Sequence, residues 1–184
     1  MIFQSTSLQG AYTISLEPFQ DHRGLFARTF CAEEFEKIGH RQPFVQFNHS
    51  HTNHKGALRG LHYQNPPFAE IKLIRCIHGG VYDVIVDIRK DSPTFLEHVG
   101  VELTEENMQM IYVPEGFAHG FQTLENDTQL IYHHTAYYQP SAEGGLRYDD
   151  PVLNIKWPLP ITDLSKKDER FPHLGSDFSG LQLD

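Results

Sequence analysis

Cysteine is nearly absent from this chain: of 184 residues only Cys31 and Cys76 are cysteine, with no CxxC and no metal-like spacing between them. Such usage argues against a disulfide-stapled scaffold and fits a reduced, cytosolic setting with free thiols. Basic residues are also scarce, 15 Lys and Arg against 24 Asp and Glu, for a formal net charge of −9 with histidine neutral. Charge of that sign disfavours nucleic acid as a generic partner. A phosphorylated ligand has to be met by a few cations gathered in one place, and Arg23, Arg59 and Lys72 are the first candidates. No apolar run is long enough to cross a bilayer, and Met1–Ser7 has neither a basic nor an apolar signal-like stretch. Repeats, low-complexity tracts and linkers are missing too, so residues 1–184 are expected to form one domain with its own core.

What the chain does have is alternation. Runs of period two recur between turns at Ala11–Leu16, Phe44–Phe47, Ile71–Ile77, Val81–Ile88, Val99–Leu103, Met108–Val113 and Thr128–Tyr137. In the fourth, Tyr82, Val84, Val86 and Ile88 share one face while Asp83 and Asp87 occupy the other. Short strands at this spacing predict an all-β sandwich or barrel rather than βαβ units. Helix is confined to Ala32–Ile38, with Gly39 as its stop. The stretch from Asp149 onward, rich in Pro, Asp and Ser, is expected to wrap the barrel as loops and short helices.

Chemistry concentrates in Arg59-Gly60-Leu61-His62-Tyr63-Gln64 and in Lys72, a lone cation inside Ile71–Ile77. Histidine is the side chain best suited to take a proton near neutral pH, and arginine offers a planar fork of donors suited to phosphate. In a strand Lys72 shares its face with Ile74 and Cys76, so it is an inward charge in need of a partner or a ligand. Asn65-Pro66-Pro67-Phe68 reads as a turn. A hairpin centred there would place His62 directly opposite Lys72.

Pro114-Glu115-Gly116-Phe117-Ala118-His119 has the form Pro-x-Gly-x-x-His, which resembles the second motif of the cupin superfamily of small β-barrels. Many cupins bind a metal there. A metal-dependent oxygenase or isomerase would use His49, His51 and His119. No glutamate follows His51 at the usual short interval, so His49–His54 reads as a polar loop and no metal site is expected. In Thr128–Tyr138, alternation puts Leu130, Tyr132, His134 and Ala136 on one face, where Tyr132 is either core or a proton donor. Asp168, after Leu164-Ser165-Lys166-Lys167, caps a turn unless the tail folds back to reach His62.

Taken in order, these blocks are similar to the dTDP-4-dehydrorhamnose 3,5-epimerase family. The likeness runs from Phe19-Gln20-Asp21-His22-Arg23-Gly24-Leu25-Phe26 through Gln46–Ser50, Leu58–Gln64, Lys72-Leu73, Asp91–Phe95, Pro114–Phe121, Asp150-Pro151 and Trp157-Pro158 to Leu164–Asp168. It implies a cupin-type double-stranded β-helix, a jelly-roll barrel with short peripheral helices and a wrapping C-terminal segment. The reaction implied is epimerisation of a nucleotide-linked 4-keto-6-deoxyhexose at C3, C5 or both, in deoxysugar biosynthesis, with no cofactor.

The resemblance implies His62 as base, Tyr132 as acid on the opposite face, Asp168 as partner of His62, and Lys72 as stabiliser of the enolate. It further implies that Arg23, Arg59 and His119 meet the diphosphate and sugar. Gln46, Asn48, Glu143 and Lys167 line the substrate site, and Tyr138 stacks on the base. The working unit it implies is a homodimer with exchanged strands, in which the Arg23 segment reaches the neighbour's site. One position departs from the family pattern. Ala27-Arg28-Thr29-Phe30 carries Arg28 where a glutamate is usual, and Arg28 can only donate to a base, so the nucleotide or the way it is held is expected to differ. A non-catalytic binder of sugar nucleotides would need no base, acid and partner together.

Overall fold

A computed structural model describes residues 1–183. In chain order the strands are β1 (Ile2–Ser5), β2 (Tyr12–Ser15), β3 (Phe19–Asp21), β4 (Gly24–Phe26), β5 (Gln46–Thr52), β6 (Ala57–Gln64), β7 (Lys72–His78) and β8 (Gly80–Asp87). They continue with β9 (His98–Thr104), β10 (Gln109–Val113), β11 (Phe117–Thr123), β12 (Thr128–His134), β13 (Glu143–Gly145) and β14 (Asp163–Leu164). One sheet has the order β1-β2-β10-β7-β12-β5 and the other β13-β6-β11-β8-β9, with β14 parallel to β6. From β5 to β12 every strand crosses to the opposite sheet except at the β8–β9 hairpin. The resulting faces, β5-β12-β7-β10 against β6-β11-β8-β9, are the jelly-roll wind.

Alternation along these strands feeds three apolar layers. Ile74, Cys76, Val81, Ile85, Ile111, Phe117 and Leu130 fill the space between the sheets. Val84, Val86, Ile88 and Leu61 point outward from the second sheet and are covered by Leu146, Leu153, Ile155 and Leu181 of the wrapping C-terminal segment. The N-terminal strands and helix cover the first sheet, with Phe35 buried against Ile14, Leu73, Met110 and Tyr112. That helix is one α-turn, Ala32–Phe35, tightening to a 3₁₀ turn over Glu36–Ile38. Gly39 ends it at φ +83°, a left-handed conformation that glycine adopts freely.

Three expectations are corrected. His49-Ser50-His51 is strand rather than loop, because β12 offers β5 a seven-residue antiparallel partner from Thr128↔Thr52 to His134↔Gln46. Ladder pairing here outweighs the weak strand preference of Asn and His. β12 itself stops at His134, short of Tyr137, as the chain turns toward the 3₁₀ turn Pro140–Ala142. The hairpin that would set His62 against Lys72 does not form: β6 pairs with β11 and β13, and β7 with β10 and β12. Proline removes ladder donors from the connection, which crosses from one sheet to the other. His62 and Lys72 therefore meet across the barrel, with Lys72 Nζ donating to the His62 carbonyl at 3.4 Å.

The hairpin of β3 and β4 pairs only with itself among the described strands. Its Phe19, Leu25 and Phe26 are 68%, 53% and 75% exposed.

Candidate active site

A cavity of about 290 Å³ opens between the sheets, and its walls carry Arg59, His62, Lys72, His119 and Tyr132. Strict alternation would send Arg59 and His62 to opposite faces of β6. Both reach the cavity because β6 bulges: His119 pairs with His62 and Phe121 with Arg59, so three steps along β6 match two along β11. The bulge depends on Gly60. Its φ is +121°, and a Cβ there would lie 2.5 Å from the Gly120 Cα and 2.8 Å from the His119 carbonyl oxygen. Leu61, the second residue of the bulge, turns outward into the layer under the C-terminal segment.

That segment also brings Asp168 to His62. The Asp168 carboxylate, 2% exposed, accepts from His62 Nε2 at 2.8 Å and from the Gly60 amide at 3.2 Å. Burial pushes Asp168 upward, but the hydrogen bonds from His62, the Gly60 amide and Ser165 act against it, and the group stays below the usual carboxylate range. An ionised carboxylate only accepts, so Nε2 carries hydrogen and Nδ1 is the nitrogen left to act as base.

Opposite stands Lys72, 3.3 Å from Glu70 Oε1, with both side chains 9% exposed. Glu70 is the partner the inward lysine requires. His134 Nδ1 lies 2.8 Å from the other oxygen of Glu70. Tyr132, next to His134 on the same face of β12, is partly buried, and burial together with the nearby Asp83 carboxylate raises its phenol well above the ordinary range. Such a phenol keeps its proton until a stronger base forms beside it. His119 Nε2 pairs with the fully buried Asp83 at 2.8 Å, its ring 6.0 Å from that of Tyr132.

At the mouth, Glu143 accepts from Lys167 Nζ at 2.7 Å and from the Tyr138 hydroxyl at 3.2 Å. Gln46 Oε1 accepts from the Tyr138 amide at 3.0 Å, and Gln46 Nε2 donates to Asn48 at 3.3 Å. Tyr138 is exposed and presents its ring at the cavity rim.

Two predicted residues stay away from this cavity. Arg23 is exposed on the β3–β4 hairpin and pairs with Asp21, and Arg28 donates to Glu34 at 2.8 Å. Glu70, His134 and Asp83 had not been singled out for the site. The readable signal was a carboxylate at an inward strand position, as at Asp83, or two residues before a buried lysine, as at Glu70. The metal reading loses its ligand set: Asn48 and Ser50 line the cavity, so His49 and His51, one step along the strand, face outward on β5, while His119 faces inward. His49 meets Gln129 at 2.9 Å and His51 lies 3.4 Å from Asp127.

A jelly roll in which one cavity is walled by a histidine paired to a buried aspartate, by a buried lysine and by a high-pKa phenol belongs to the cupin-type barrels that run acid–base isomerisation. The family model described as dTDP-4-dehydrorhamnose 3,5-epimerase matches residues 5–176, and the chain belongs to that family, an isomerase family. It is 44% identical over 176 residues to the dTDP-4-dehydrorhamnose 3,5-epimerase of Salmonella typhimurium, covering 95% of this chain and 96% of the relative. The crystal structure of the dTDP-6-deoxy-D-glucose-3,5-epimerase from Legionella pneumophila, in complex with dTDP-4-keto-L-rhamnose, superposes with a TM-score of 0.91 at 37% identity, over 100% of this chain and 99% of the other. A 3'-monoepimerase from Streptomyces bikiniensis, in complex with dTDP-quinovose, superposes with a TM-score of 0.86 at 34% identity, over 92% of this chain and 86% of the other.

Proposed function

We propose that this protein epimerises a dTDP-linked 4-keto-6-deoxyhexose in deoxysugar biosynthesis. The observation that carries the reading is the grouping of His62 with buried Asp168, Lys72 and Tyr132 around one cavity. A proton α to a ketone leaves only if the enolate oxygen is stabilised, and a fixed cation in a site screened from water does this well. His62 Nδ1 takes the proton, the C–H electrons pass into the enolate, and Lys72 faces its oxygen. Asp168 steadies the imidazolium. Tyr132 returns a proton from the opposite face, which inverts the carbon, and solvent then restores both groups. The chemistry asks only for a base, an acid and a cation, all of them side chains here, so no cofactor is needed.

Arg59 and His119 hold the diphosphate and sugar, Gln46, Asn48, Glu143 and Lys167 line the substrate path, and Tyr138 stacks on the base. The working unit is a cytosolic homodimer with exchanged arms. An isolated two-stranded hairpin with exposed Phe19, Leu25 and Phe26 is not self-sustaining, which supports a neighbour as its resting place and Arg23 as its contribution there. Arg28, engaged by Glu34, leaves thymine to be held by stacking and backbone groups.

Incubation with dTDP-4-keto-6-deoxyglucose in D2O, read by proton NMR, tests the reading. Loss of signal at C3 and C5 with a new L-configured product is expected. Exchange at C3 alone would make the enzyme a monoepimerase, and exchange at neither position would end the proposal.

A further inference from the structure

Five contacts join six polar groups in an unbroken line along the cavity wall, from the Tyr138 backbone to Lys72. Tyr138 N meets Gln46 Oε1 at 3.0 Å, and Gln46 Nε2 meets Asn48 Oδ1 at 3.3 Å. Asn48 Nδ2 meets His134 Nε2 at 3.3 Å, and His134 Nδ1 meets Glu70 Oε2 at 2.8 Å. Glu70 Oε1 then meets Lys72 Nζ at 3.3 Å.

Both ends of this line have fixed polarity. A backbone N–H can only donate, so Gln46 must turn its oxygen to Tyr138 and its NH₂ to Asn48. Asn48 must then present its oxygen to Gln46 and its NH₂ to His134. An NH₂ needs an acceptor, so His134 Nε2 is bare. From the other end an ionised carboxylate only accepts, so His134 Nδ1 carries the hydrogen. The two deductions agree on one species, a neutral imidazole with its proton on Nδ1. Burial pushes Glu70 upward, yet the hydrogen bond from His134 and the charge of Lys72 act against it, and the carboxyl stays below its usual range.

We propose that Glu70 and His134 are positioning residues for the reaction. Through this one-directional chain, they fix the Lys72 ammonium relative to the segment that carries Tyr138. The inference rests on the reading that Lys72 faces the substrate ketone. Glu70 and His134 need not touch substrate. Their effect is to give Lys72 one anchored carboxylate beside the His62 carbonyl that it also donates to, and to make the polarity at the cation depend on the polarity at Gln46. Protonating His134, or replacing Glu70 by an amide, sets donor against donor somewhere in the line, and the nearest relief is a flipped Asn48 and Gln46.

The wild-type protein is tested first. Nitrogen-15 NMR of histidine-labelled protein near pH 7.5, with the His134 signal identified by its loss in His134→Phe or His134→Asn, is expected to show a protonated Nδ1 and a bare Nε2. A bare Nδ1, or two protonated nitrogens, would overturn the chain whether or not the enzyme is an epimerase. Kinetics follow. His134→Phe and Glu70→Gln should each lower kcat about tenfold or more, with dTDP affinity changed much less. The double variant should be little worse than either, since the two act through one contact. His134→Asn, which keeps a donor near the Nδ1 position, should recover most of kcat. Retention of kcat within about twofold in His134→Phe would overturn the positioning role. A wild type that turns over no 4-keto sugar would instead remove the functional reading and leave the NMR result to judge the chain.

Discussion

In the proposed reaction His62 and Tyr132 divide one proton transfer between two faces of a sugar ring, so changing either should leave a different residue of activity. His62→Ala removes the base, and loss of roughly a hundredfold or more in both solvent exchange and inversion is expected, with the fold intact, as fits a general base. Tyr132→Phe leaves abstraction in place and withdraws delivery. Exchange at C3, followed by NMR in D2O, should therefore survive better than product formation, and equal loss of both would mean that Tyr132 is no separate acid. The principal groups of this cavity stood out in the sequence as a lysine in an apolar strand, a histidine between Leu61 and Tyr63 and a tyrosine on an inward face. Tyr132 read equally as core, however, and the role of each came with the family resemblance. Their supports did not stand out. Asp83 lies 36 residues from His119, and Glu70 lies 64 from His134. Each pair meets only because the barrel wind brings distant segments together, and no local spacing records that.

At the scale of elements, β6 shows how one residue sets a site. Period-two reading found the strands that alternate cleanly, such as β8 and β9, and missed the length of β5, whose Asn and His take strand geometry from β12. It also placed His62 across a hairpin from Lys72, since two prolines read equally as a tight turn or as a crossing between sheets. The Gly60 bulge lay beyond such reading, because alternation assumes that no residue is extra. Gly60→Ala should be unusually harmful for so small a change. The added methyl meets the Gly120 backbone, and φ of +121° is closed to alanine. Relief means losing the bulge, which turns either Arg59 or His62 out of the cavity. Destabilisation of roughly 1–3 kcal/mol, read from the urea midpoint, is expected together with near-complete loss of epimerisation. Normal stability with full activity would show that β6 reaches its site by another geometry.

The whole molecule carries two features that the site alone does not explain, a buried histidine and a free arm. His40 is 3% exposed among Phe30, Phe35, Phe44 and Tyr112, its Nδ1 is 3.2 Å from the Tyr112 hydroxyl, and its Nε2 has no partner among the described residues. Burial lowers its folded pKa below the unfolded value near 6.5. The folded state then binds fewer protons than the unfolded one just below that pH, so this contribution to stability is complete above about 6.5 and is lost as pH falls through the folded value. Urea unfolding from pH 7 to 5 should show a decline that is shallower in His40→Phe, and parallel slopes would discount it. The arm makes a sharper test of assembly. If Arg23 acts in the neighbour's site, a dimer of one Arg23→Ala subunit and one His62→Ala subunit holds one site with both lesions and one with none. Each parent alone has every site damaged. Mixing the two inactive homodimers under conditions that let subunits exchange should then restore about a quarter of wild-type activity for random pairing in a two-fold dimer. An Arg23 that served its own chain would leave both sites of every mixed dimer damaged, and the mixture would stay as inactive as its parents.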